Sequence, residues 1–117
     1  MAILVVDDEE RLREMVGEVL GDAGYSVRLA PGADEAIARI ESEGPFDLVV
    51  TDVRMPGSMD GMGLARWVRA NAPQTRIFVI SAYVGTMPPG PPPFDAFLAK
   101  PLPLAKLRET VERLMAA

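Results

Sequence analysis

The stretch Asp47-Leu48-Val49-Val50-Thr51-Asp52 constrains this chain more than any other. Its apolar run ends in a lone carboxylate, and Val53-Arg54-Met55-Pro56-Gly57 turns the chain at once. Apolar strands bury themselves, so an acid at the tip of one stands where a sheet meets solvent. A carboxylate in that position can bind a cation, act as a base or act as a nucleophile. Which of these applies depends on what else reaches the same edge.

The rest of the chain repeats the pattern. Residues Ala2–Val6 form a continuous, β-branched apolar run that reads as a strand buried on both faces and ends in Asp7-Asp8. Leu12, Val16, Val19, Leu20 and Ala23 follow at helical spacing, with acids at the front of the segment and Gly24 at its end. Tyr25–Ala30 is a second strand, and Ala33, Ala36, Ile37 and Ile40 mark a helix closed by Gly44-Pro45. Leu48–Thr51 is the third strand. Asp60-Gly61 opens a helix carrying Leu64, Ala65 and Val68, with Asp60 placed to cap it. Ile77–Ile80 is a fourth strand ending at Ser81, and Phe94–Ala99 a fifth ending at Lys100. Leu104, Leu107, Val111 and Leu114 form the stripe of a last helix, with Pro103 in its first turn. Strands alternating with helices predict an α/β domain, a doubly wound parallel sheet of five strands.

One crossover breaks the pattern. Between the fourth and fifth strands, positions 88–93 hold five prolines in six residues, which no helix survives. The expectation there is an extended loop, or at most one turn of helix near Val84–Thr86, so the usual fourth helix is lost or shortened.

Composition narrows the chemistry. The 117 residues include neither histidine nor cysteine, so a structural zinc site is disfavoured and a Ser-His-Asp triad is impossible. Any metal is expected to be a hard, oxygen-seeking ion such as Mg²⁺. A net charge of −5 argues against nucleic acid and anionic membranes as partners. No apolar run reaches the ~20 residues of a membrane span, and no leader peptide is evident, which makes the cytoplasm the expected location.

In a parallel sheet all strand C-termini lie on one edge, where ligands bind. Those tips carry Asp7, Asp8, Asp52, Ser81 and Lys100. Crowded carboxylates repel unless a cation intervenes, and Mg²⁺ with one or two carboxylates suits phosphoryl transfer. The order Asp-Asp, Asp-x-x-Met-Pro, Ser-Ala and Lys-Pro at successive strand ends resembles the receiver domain of bacterial response regulators, across essentially the whole chain. The resemblance implies a flavodoxin-like strand order of 2-1-3-4-5. It implies that Asp52 accepts a phosphoryl group from a partner histidine kinase or histidine phosphotransferase. Asp8 would bind Mg²⁺ directly and Asp7 through water, with Asp52 and the backbone carbonyl of Arg54 as further ligands. Ser81 and Lys100 would contact the phosphoryl group, and Ser81 and Phe97 would form the switch. The missing histidine fits a donor on another protein.

Plainer readings accompany these. Asp7 and Asp8 would also suit the start of the first helix, Ser81 is ordinary turn chemistry, and Phe97 would serve as a core residue. Trp67 reads as packing, and Arg54 and Tyr83 as exposed loop residues whose positions in this family influence acyl-phosphate lifetime. The loop Gly57–Gly61 is one residue longer than the family's commonest spacing. The proline tract removes part of the face through which many receivers signal, leaving Met87, Phe94 and the prolines to cover the sheet. The expected function is a phosphoacceptor receiver, residues 1–117 as one domain, either stand-alone or cut from a larger protein such as a hybrid histidine kinase. Its downstream protein partner is unknown, and its chemistry is confined to Asp52 rather than to a separate substrate. The alternative is a phosphorylation-independent interaction module of the same fold. A phosphatase with an aspartate nucleophile typically carries a second Asp where Arg54 stands.

Overall fold

The computed structural model describes residues 2–55, 57, 59–82 and 92–116. The elements run β1 (Ala2–Val6), α1 (Glu10–Asp22), β2 (Ser26–Ala30), α2 (Ala33–Glu43), β3 (Leu48–Asp52), α3 (Gly61–Asn71), β4 (Arg76–Ser81), β5 (Ala96–Ala99) and α4 (Leu104–Ala116). All five strands pair in parallel in the order β2-β1-β3-β4-β5. This is the expected fold, and β3 runs one residue further than its apolar run because Asp52 itself pairs with Ile80.

The continuous apolar strands feed two cores. Alternate residues of a strand point to opposite faces. Ile3, Val5, Leu48, Val50, Phe78 and Ile80 therefore pack with Val16 and Leu20 of α1 and Leu107, Val111 and Leu114 of α4. Leu4, Val6, Val49, Ile77 and Val79 face the other way, onto Ala33 and Ala36 of α2 and Leu64, Ala65 and Val68 of α3. Burial of each large aliphatic side chain contributes about 1.5–3 kcal/mol, so the central strands are the most firmly held part of the molecule. Trp67 packs at the margin of the second core, as does Phe94. Helix α1 stops at Gly24, whose positive φ of 100° lets the chain reverse into β2.

At the N-terminal edge of the sheet, strand N–H groups meet side-chain acceptors. The Ala2 amide donates to Asp47 Oδ2 at 2.8 Å, and the Ile77 amide donates to Asp95 Oδ2 at 2.8 Å. Asp95 Oδ1 pairs with Arg69 of α3 at 3.0 Å. The short edge strand β5 is thus pinned to β4 and α3 just before it begins. Residues 83–91 lie outside the described residues, as do the expectations for Tyr83, Val84–Thr86, Met87 and most of the proline tract; Pro92 and Pro93, which are described, are not helical. Among the described residues no helix is long and apolar enough to cross a membrane.

Candidate functional site

Four strands deliver their last residues to one spot. Asp7 follows β1, Asp52 ends β3, Ser81 ends β4 and Lys100 follows β5. Asp7, Asp52 and Ser81 are buried, while Asp8 is exposed. Carboxylate oxygens of Asp7, Asp8 and Asp52 all lie within 4.8 Å of one another. Lys100 Nζ donates to Asp52 Oδ2 at 2.7 Å and stands 3.7 Å from Asp7 Oδ2. The Lys100 amide also donates to the Ser81 carbonyl at 2.9 Å, so β5 carries its lysine to the tip of β4.

The two buried acids are arranged alike. Each turns one oxygen to Lys100 and the other to an amide two residues ahead: Glu9 N–H to Asp7 Oδ1 at 2.8 Å, and Arg54 N–H to Asp52 Oδ1 at a long 3.4 Å. Arg13 of α1 reaches back to donate to the Asp7 carbonyl at 2.9 Å, tying the first helix to the tip of β1. Sequence reading missed Arg13, although it stands in the first turn of the helix that follows the strand-end acid.

Burial raises the Asp7 carboxyl above its ordinary value. The negative charges of Asp52 and Asp8 push the same way, against the Glu9 amide and the Lys100 ammonium. For Lys100, burial alone would lower the value, but the Asp52 hydrogen bond and the charges of Asp7 and Asp52 outweigh it and raise it. Both shifts describe a site with more negative charge than one lysine balances. An open cleft of about 350 Å³ is lined by Asp8, Val53, Arg54, Met55 and Asp60, so the exposed acid of the cluster faces it. Hard oxygen donors, a surplus of negative charge and water access fit Mg²⁺.

Phe97 stands apart from this cluster. It is 40% exposed on β5, its ring centroid 5.9 Å from that of Phe94. It is therefore a surface aromatic, not the core residue its bland reading suggested. Asp60 does cap α3, accepting from the Gly63 amide at 2.8 Å as its place before the helix predicts.

A doubly wound parallel sheet with three acids and a lysine at its C-terminal edge defines a receiver-type domain. The sequence profile of the response regulator receiver domain matches residues 3–112. Response regulator protein PilR of Pseudomonas aeruginosa is 37% identical over 114 residues, which cover 92% of this chain but 24% of that protein. Response regulator receiver protein CpdR of Brucella abortus is 34% identical, covering 98% of this chain and 97% of its own. The crystal structure of TrrA from Thermotoga maritima, in complex with Mg²⁺ and BeF, superposes with a TM-score of 0.83 at 30% identity over 97% of each chain. The chain belongs to the response regulator receiver domain family of two-component systems. That family binds Mg²⁺ at an acidic pocket, and this chain groups Asp7, Asp8 and Asp52 at its sheet edge.

Proposed function

We propose that this domain is a phosphoacceptor, taking a phosphoryl group from a partner's phosphohistidine onto Asp52. The observation that carries this reading is the grouping of Asp52 with Asp7, Asp8 and Lys100 at one sheet edge. Asp7, Asp8, Asp52 and the Arg54 carbonyl would hold Mg²⁺, which when bound neutralises phosphoryl oxygens. An Asp52 carboxylate oxygen attacks phosphorus, the P–N bond to the partner's imidazole breaks, and the imidazole nitrogen leaves with its electron pair and takes up a proton. Lys100 and the Ser81 hydroxyl bind the transferred oxygens. Hydrolysis of the acyl phosphate returns the carboxylate and inorganic phosphate, so the chemistry stays on the protein's own side chain.

Lys100 already contacts the nucleophile before any donor arrives, which holds the Asp52 carboxylate in place. Loss of its contact to Asp52 on phosphorylation, with Ser81 and the exposed Phe97 responding, is the proposed switch. A histidine kinase or histidine phosphotransferase supplies the donor, since this chain has no histidine.

The test is intact-mass spectrometry after incubation with Mg²⁺ and a small phosphodonor. One phosphoryl increment is expected in the parent, none in Asp52→Asn, and none when EDTA replaces Mg²⁺. No increment in the parent would instead favour a phosphorylation-independent interaction module.

A further inference from the structure

We infer that Gly61 is a positioning residue for the phosphoacceptor, allowing α3 to sit directly on the Asp52 backbone and hold the peptide that aims its carboxylate; this rests on the function proposed for Asp52. Gly61 is the first residue of α3 and is buried. A Cβ built there would interpenetrate the Asp52 carbonyl oxygen, and would come within 2.7 Å of the Asp52 carbonyl carbon and 2.9 Å of Val53 Cα. Each of these is a backbone atom in or beside a buried strand, so none can swing aside as a side chain does. What Gly61 supplies is space.

That space is used for a hydrogen bond. The Gly61 amide, the first of the helix, donates to the Val53 carbonyl at 2.7 Å. The Val53 carbonyl and the Arg54 amide belong to one planar peptide. The opposite end of that plane, Arg54 N–H, donates to Asp52 Oδ1. Helix α3, one peptide plane and the Asp52 carboxylate are therefore linked in series. Turning the plane at one end turns the donor at the other, and moves the Arg54 carbonyl that follows it. Asp60 fixes the helix end by capping Gly63, and Gly61 sets how closely that end approaches. Gly63 lacks this consequence: a Cβ there would meet Cγ of Met59 at 2.8 Å and, at an ordinary 3.5 Å, Oδ1 of Asp60, both side-chain atoms rather than strand backbone.

The experiment compares the parent, Gly61→Ala and Gly63→Ala by Mg²⁺ calorimetry and by the rate of phosphorylation at saturating Mg²⁺ and phosphodonor. Melting in EDTA is measured alongside. In Gly61→Ala, Mg²⁺ affinity is expected to fall about tenfold, the size seen when a group that orients a metal ligand is lost. The phosphorylation rate falls with it, and Gly63→Ala stays close to the parent in both. A purely structural role would lower the melting temperature and leave both constants of the folded protein unchanged, and that result overturns the inference. If Gly61→Ala does not fold, Asp60→Ala and Asp60→Asn replace it, since Asn keeps the cap without the charge: Mg²⁺ binding weaker in Asp60→Ala than in Asp60→Asn supports the inference, and equal binding overturns it. A parent that accepts no phosphoryl group brings down the proposed function and this inference together. A phosphorylated parent matched by Gly61→Ala in both constants brings down the inference alone.

Discussion

Aspartates stand at both edges of the sheet, and the strands treat them differently. A parallel sheet presents free N–H groups where its strands begin and free carbonyls where they end. At the beginning, Asp47 and Asp95 each accept a strand amide, and Asp95 adds its own arginine. At the end, Asp7, Asp8 and Asp52 crowd together around Lys100, and the nearby amides come from the loops beyond. The same side chain is a structural clip at one edge and, in the function proposed, a reactive, cation-binding group at the other. Strand polarity makes the difference.

Substitutions at the two edges should therefore separate function from stability. The largest effect is expected from Asp52→Asn, which abolishes phosphoryl uptake yet melts at or above the parent's temperature in EDTA, because it removes a charge facing Asp7. A clear loss of thermal stability in that variant would break the contrast. Asp95→Ala should do the reverse. It leaves the Ile77 amide and Arg69 without their partner, lowering stability by about 1–3 kcal/mol in urea melts while Mg²⁺ affinity of the folded protein holds. Asp47→Ala acts at an exposed bond and should lower stability by only about 0.5–1 kcal/mol.

The pH dependence of Asp7 sharpens the contrast further. Its value in the fold lies above the ordinary 3.8, so the folded state holds its proton more tightly than the unfolded chain does. Ionised Asp7 thus subtracts stability: the loss is absent below 3.8 and complete once pH has risen past the raised value. Relative to Asp7→Asn, the metal-free parent should lose melting temperature as pH rises through that window. Mg²⁺, which pairs the charge, should abolish the difference. Lys100 runs on a separate scale. Its raised value contributes stability that is present below 10.5 and lost as pH climbs beyond it.

The strand-end acids and Lys100 were legible in the sequence because each ends or follows an apolar run, and parallel topology carries run ends to one edge. Asp60 was legible for a similar reason, since capping is local. Asp95, Asp47, Arg13 and Gly61 were not. Their partners are Ile77, Ala2, the Asp7 carbonyl and the Asp52 backbone, and apart from Arg13 these contacts depend on how elements pack. Gly61 in particular reads as an ordinary residue after a helix cap until α3 is seen lying against β3. Phe97 was ambiguous because alternation along a four-residue edge strand does not say which face is covered.

The contrast between edges is tested most directly by treating Asp52→Asn and Asp95→Asn side by side with Mg²⁺ and a small phosphodonor, then recording intact masses. Asp95→Asn should gain one phosphoryl group, as the parent does, and Asp52→Asn should gain none. An adduct persisting in Asp52→Asn, or lost from a folded Asp95→Asn, would contradict the assignment of reactivity to the C-terminal edge.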